Sequence, residues 1–317
     1  MSSLYLDRKD LAVKLDGQAL ALYEAGQKKG TVPLHLLDRV IVRGNIQLES
    51  RVLGALTQRN IGFLVLSGRS TEATAMLSGK SHGDALRRLG QYRMSLSDEA
   101  RRPLAKWLVL AKLRGQQRLL QDALAVRPDL RKPLTGALNT LQGIGGTLRG
   151  DAFSVSLSEL RGYEGSAAAA CFGAYRHLFA ESLNFAGRKK RPPPDPVNAC
   201  LSLGYTLLHY DAVRACHWTG LDPMLGFYHD VSFGRDSLAC DLMEPLRPFM
   251  DKWVWHLFRE RRLRAEHFSD DKGRCLLNKE GRQRFYGFYE SQVGSARRLL
   301  RRYGYALADR LRTEAEG

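Results

Sequence analysis

From Leu11 onward apolar and polar positions alternate, with Leu11, Val13 and Leu15 on one face and Ala12, Lys14 and Asp16 on the other. This is the period-two pattern of a half-buried strand. Asp16-Gly17 is a tight-turn pair, and Leu20 and Leu22 resume the alternation, so a β-hairpin is predicted. Val40-Ile41-Val42 and Phe63-Leu64-Val65-Leu66 are short apolar runs bounded by Gly and polar residues, as buried strands are, and a short helix is predicted between them over 49–58. The polar, Gly-rich stretch 78–83 reads as a linker.

Beyond Asp84 the texture changes. Leu86, Leu89 and the Gln91-Tyr92 pair, then Leu104, Leu108, Ala111 and Leu119, recur at helical spacing with Arg and Lys on the other faces. Segments 167–179, 201–215 and 293–311 repeat the habit, whereas Arg191-Pro192-Pro193-Pro194-Asp195-Pro196 has to be a loop, because proline removes a backbone donor and restricts the residue before it. The predicted fold class is α+β, with a small β-rich domain over 1–80 followed by a larger, mainly α-helical domain over 81–317.

Composition places the chain among soluble globular proteins, at 44% hydrophobic and 26% charged residues. Its charge adds more: 49 Lys and Arg against 33 Asp and Glu leave +16. Residues 1–80 carry +4 of this and the helical part the remaining +12. Such an excess suits a polyanion, since each neutralised phosphate releases condensed counterions. Five cysteines, Cys171, Cys200, Cys216, Cys240 and Cys275, include no C-x-x-C pair, which argues against a disulfide framework and a zinc knuckle and for buried thiols in a reducing cytoplasm. No stretch reads as a signal peptide or a membrane span, so a cytoplasmic protein is expected.

Four side chains form a candidate chemical constellation: Glu164, which the pattern puts at the start of an Ala-rich helix, His229 after the Phe227-Tyr228 pair, and Asp241 with Glu244. Residues three apart on a helix share a face, so Asp241 and Glu244 would present two carboxylates to one point. Carboxylates with one imidazole suit Mg²⁺ or Mn²⁺ better than zinc. Plainer roles stay open: Glu164 as a complement to a helix dipole, His229 as a core histidine, Asp241 and Glu244 as a solvated face. Two basic clusters would hold a nucleic-acid backbone, Arg188-Lys189-Lys190-Arg191 in the Pro-rich loop and Arg297-Arg298 with Arg301-Arg302 on the last helix.

The stretch from Asn184-Phe185-Ala186-Gly187-Arg188 through Asp195-Pro196-Val197-Asn198-Ala199-Cys200-Leu201-Ser202-Leu203-Gly204-Tyr205 resembles the CRISPR-associated integrase family, in which a basic, Pro-containing loop leads to D-x-x-N-x-x-L-S-x-G-Y. Asp241-Leu242-Met243-Glu244-Pro245-Leu246-Arg247-Pro248 resembles the same family's D-L-x-E-x-x-R-P stretch. The likeness covers most of 84–290, including Arg88, Gln91, Tyr92 and the Lys112-to-Gln116 spacing, while Gly115 stands where many members carry Asn. The resemblance implies metal ligands at Glu164, His229 and Glu244, with Asp241 as the neighbouring acid, a Mg²⁺ or Mn²⁺ cofactor, and a catalytic helical domain. It also implies double-stranded DNA as substrate, namely spacer precursor and CRISPR repeat, and a homodimer through the β domains joined by a small ferredoxin-like partner in a heterohexamer. The expected reaction is transesterification by a fragment's 3′-hydroxyl, with Arg247 either on the scissile phosphate or in a salt bridge that locks the carboxylates. A general endonuclease for branched DNA and a non-catalytic nucleic-acid scaffold are the alternatives.

Overall fold

The computed structural model describes residues 2–8, 10–67, 73–77, 79, 82–150, 155–189 and 192–316. Its first elements are β1 (Ser2–Leu6), β2 (Leu11–Asp16), β3 (Ala19–Glu24), β4 (Gln27–Pro33), β5 (Leu37–Arg43), β6 (Gln47–Leu48), α1 (Ser50–Gln58), β7 (Gly62–Leu66) and β8 (Ala73–Leu77). The expected hairpin is β2–β3, antiparallel with Leu11 opposite Glu24 and Asp16 opposite Ala19, and Gly17 takes the turn at a φ of 58°. β4 extends it, and β6 joins parallel to β2, giving the sheet order β4-β3-β2-β6. A second sheet has the order β1-β5-β7-β8, parallel except for its last strand. β5 runs between two parallel neighbours, and five consecutive residues, 39–43, are buried, as the strands of parallel sheets usually are. Val13, Leu20, Val40, Val42, Val52, Leu56 and Phe63 bring both sheets and α1 into one core.

The helical part comprises α2 (Ala85–Ser95), α3 (Asp98–Val126), α4 (Arg131–Gly150), α5 (Leu157–Tyr175), α6 (Pro196–Thr219), α7 (Ser237–Met243), α8 (Arg247–Arg259), the hairpin β9 (Phe268–Asp270) and β10 (Cys275–Leu277), α9 (Lys279–Gln292) and α10 (Gly294–Glu316). Helix starts follow local chemistry. Ser97 caps α3 by accepting from Ala100 N, Ser156 and Glu159 form a capping box on α5, and Asp195 accepts from Asn198 N with Pro196 at the first position of α6, each satisfying amide donors that lack an intrahelical partner. α6 is buried on nearly every face along its 24 residues and ends at Gly220 with a φ of 78°, as a central helix must. By contrast, Leu86 and Leu89 of α2 are exposed rather than core, and the polar Gln91 is fully buried in their place.

By contact the chain divides into two units, Met1–Gly83 with Phe285–Ser295, and Asp84–Arg284 with Ala296–Gly317. Residues 285–295, assigned from sequence to the helical domain, cluster with the β-rich unit. There Tyr286 stacks on Tyr5 at 4.1 Å, and the Tyr5 hydroxyl donates to Glu290 Oε1 at 2.7 Å. Half of the linker at 78–83, residues 78, 80 and 81, lies outside the described residues. Among the described residues, no helix is long and apolar enough to cross a membrane.

Candidate active site

Four helices of the second unit and three short segments between helices converge on one open cleft of about 440 Å³. α3 contributes Lys112 and Gln116, one turn apart on the same face. α5 contributes Glu164, α6 Tyr205, and α8 Arg247 and Asp251, while Glu244 comes from the 3-10 turn Glu244–Leu246 and His229 from the loop before α7. Glu164 therefore lies in the middle of its helix rather than at the start; the acid that complements the amide donors there is Glu159.

The His229 loop has no regular structure, so its backbone has to be satisfied by side chains. Asp241, 1% exposed, does most of this. Its Oδ2 accepts from Phe227 N at 2.6 Å and Tyr228 N at 2.9 Å, and its Oδ1 from His229 N at 3.0 Å, with His229 Nδ1 at 2.7 Å. A Cβ on Gly226 would lie 2.9 Å from that same Oδ2 and 2.8 Å from the Ser237 carbonyl carbon, so only glycine fits there. Three residues that sequence reasoning left without a role complete the clamp. Arg101 donates to Phe227 O and Asp230, Arg161 to Tyr228 O, and Gln91 to Asp222 O and Leu225 O. Asp241 and Glu244 thus do not present two carboxylates to one point. The α-helix gives way at Met243 to a 3-10 turn containing Pro245, and the two side chains diverge, Asp241 to the loop and Glu244 to the cleft. His229 links them, with Nδ1 on Asp241 and Nε2 4.0 Å from Glu244 Oε1.

Glu244 is the electrostatic centre. Burial alone pushes its carboxyl up, but the charges of Arg247, 2.6 Å away through Nε, and Lys112, 2.6 Å away through Nζ, outweigh this and hold it at about 2. Lys112 also donates to Glu164, so one ammonium bridges the two carboxylates. Its pKa is raised: burial opposes the charge, and Glu244 with Glu164 more than compensate. Arg247 also lies over the Tyr205 ring at 4.9 Å, and Arg188 over the same ring at 5.4 Å. Gly115, beside this cluster on α3, has no room for a side chain, because a Cβ would meet the Pro248 ring at 2.9 Å.

Asp251 is the second buried acid of the cleft. Tyr205 donates its hydroxyl to the carboxylate, and Tyr175 donates to the Asp251 carbonyl at 2.7 Å. Burial pushes this carboxyl up to about 6, against the pull of the Tyr205 hydrogen bond and of Lys112, Arg247 and Arg188. The folded state then keeps a proton that the unfolded chain releases near pH 4, so this group's contribution falls as pH rises from 4 to 6. Asp251→Asn is expected to flatten the pH dependence of unfolding free energy in that window by about 3 kcal/mol, at ~1.4 kcal/mol per pH unit. Denaturant titrations at pH 4, 5 and 6 check this, and an unchanged slope would refute it.

The donor set of Glu164, Glu244 and His229 Nε2 is that of a hard or borderline divalent cation. The Nδ1 contact to a buried carboxylate is the arrangement that orients histidine ligands. Among the described residues, no three His, Cys, Asp or Glu side chains stand at ligating distances from one point; the Lys112 ammonium occupies the space between the two carboxylates instead. The side chains fit a cation in kind, provided Lys112 yields its place.

Of the basic clusters, Arg188 reaches the cleft but is tied to its own unit, donating to Asn198 Oδ1 at 3.0 Å and to Ser202 Oγ at 3.3 Å. Lys189 N donates to Asn198 Oδ1. Lys190 and Arg191 lie outside the described residues. On α10, Arg297 pairs with Asp211 at 2.9 Å and Arg301 lies over Trp218 at 4.1 Å, while Arg298 and Arg302 are exposed.

A helical unit that buries a carboxylate–lysine–arginine cluster beside an anchored histidine, in an open cleft, has the features of an enzyme. The chain belongs to the CRISPR associated protein Cas1 family, whose model matches residues 4–291. It is 38% identical over 318 residues to a CRISPR-associated endonuclease Cas1 of Thermodesulfovibrio yellowstonii, covering 100% of this chain and 99% of that protein. Its fold is shared with a casposase bound to integration product, at a TM-score of 0.81, 20% identity, and 99% and 91% coverage. It is also shared with a chain of a Cas6-RT-Cas1–Cas2 complex, at 0.80 and 22% identity, covering 99% of this chain and 35% of that one.

Proposed function

We propose that the protein is a divalent-metal-dependent DNA integrase of CRISPR adaptation. The 3′-oxygen of a short DNA fragment forms a bond to a phosphorus at the edge of a repeat, the bond from that phosphorus to the repeat's own 3′-oxygen breaks, and the proton passes from the attacking to the leaving hydroxyl. The observation that carries this reading is the meeting of Glu164, Glu244 and His229 Nε2 on one cleft, with Asp241 fixing the other ring nitrogen. Mg²⁺ or Mn²⁺ held there would lower the pKa of the attacking hydroxyl and stabilise charge on the phosphoryl oxygens. Arg247 fixes Glu244 and, in this reading, would also meet a non-bridging oxygen of the phosphate. Double-stranded DNA as substrate is supported by the +16 charge. Association with a Cas2 partner is supported by the likeness to a chain of a Cas6-RT-Cas1–Cas2 complex, while the homodimer and the ferredoxin-like character of that partner rest on the motif resemblance alone. A cytoplasmic location is supported by free, mostly buried thiols.

The test combines purified protein, its small partner, supercoiled array plasmid and free fragment with Mg²⁺ or Mn²⁺. Fragment-linked plasmid is expected, and it should disappear with Glu164→Ala. Joining that persists unchanged in that variant would make the site irrelevant, and cleavage without linkage would favour a nuclease.

A further inference from the structure

The side chain between the two carboxylates is one to which the proposed mechanism gives no part. Lys112 is 9% exposed, and its ammonium donates to Glu164 and to Glu244 Oε2. One turn along α3, Gln116 is 2% exposed and lines the same cleft, yet its buried Oε1 has no hydrogen-bond donor among the described residues. A buried acceptor left without a donor loses its solvation for nothing in return, which native structures seldom tolerate. Lysine is a flexible point charge with three donors, and residues four apart on a helix are neighbours.

We propose that Lys112 is an internal cation with two stations: it holds Glu164 and Glu244 together until a divalent cation takes its place, and then turns to the waiting Gln116 carbonyl. This rests on the metal-site reading and adds a positioning role for two residues. The ammonium keeps two carboxylates ordered that would otherwise repel, so the ligands are already in place when the cation arrives. It also sets a threshold, because the cation must displace a charge that is already well paired. Gln116 lowers that threshold by receiving the displaced ammonium within the same protein.

The experiment is titration of the full-length protein with Mn²⁺ followed by electron paramagnetic resonance, alongside thermal unfolding in chelator. Lys112→Met is expected to bind Mn²⁺ about tenfold tighter, since no competitor remains, while its metal-free unfolding midpoint falls. A purely electrostatic effect of losing one charge would also tighten binding, and Gln116→Leu separates the two explanations. With the receiving acceptor gone, Mn²⁺ should bind roughly three- to tenfold more weakly, while the metal-free midpoint holds or rises because an unsatisfied group has been removed. In the double variant the Gln116 change should have no further effect. Lys112→Met binding no tighter, or Gln116→Leu leaving Mn²⁺ affinity unchanged, overturns the proposal. Parent protein that binds no Mn²⁺ overturns the metal-site reading itself. Should Lys112→Met fail to fold, the Gln116→Leu comparison decides alone.

Discussion

Glu244→Gln is expected to destabilise the protein by about 3–5 kcal/mol when unfolding is measured in the presence of chelator. The substitution keeps the size of the side chain and removes only the charge that the buried Lys112 and the half-buried Arg247 share. Arg247 loses its 2.6 Å carboxylate partner, and Lys112 keeps only Glu164, whose side chain is 22% exposed. Breaking a buried pair from one side is costly because the remaining charge stays out of water without a counter-charge. Glu164→Gln supplies the comparison. It sits nearer solvent and leaves Lys112 its more deeply buried bond to Glu244, so its cost should be about 1 kcal/mol or less. Equal losses for the two variants, or a Glu244→Gln loss below about 1 kcal/mol, would show that Glu244 is not the centre of this network.

His229→Ala is expected to reduce fragment joining by at least about 10³-fold while leaving DNA affinity within roughly twofold of the parent. The loss removes Nε2, the one neutral nitrogen donor proposed for the cation, at an atom that does no other visible work in the fold. The loop itself should persist. Asp241 still accepts from the backbone amides of Phe227, Tyr228 and residue 229, and Arg101 and Arg161 still bind the loop carbonyls. In the proposed reading DNA capture would depend on Lys and Arg spread over the chain, none of which the substitution touches. Filter binding and joining assays on one preparation separate the two effects, and an equal collapse of both would assign His229 to the fold instead.

Much of the architecture was legible because its causes are local. The β2–β3 hairpin follows from period-two alternation around Asp16-Gly17, and the helix read over 201–215 is α6, which runs further, from Pro196, expected to be loop, to Thr219. These signals act over a few residues, so a window of sequence contains the whole reason for them. The types of side chain in the site were legible as well. Glu164, His229 and Glu244 do reach one cleft.

How they reach it was decided by tertiary packing. A helical spacing made Asp241 and Glu244 look like one paired face; instead the helix tightens at Glu244-Pro245, and Asp241 spends its four hydrogen bonds on a loop 12 to 14 residues upstream. Lys112 stood out in sequence only through its spacing to Gln116, and only folding sets it against Glu244, 132 positions away. Gln91, grouped by helical spacing with Leu86 and Leu89, is buried while they are exposed, because the backbone at 222–225 needs its donors and acceptor. Periodicity records which way a residue faces on its own element, whereas the partner it meets there depends on how distant elements pack, and burial then makes that partner obligatory.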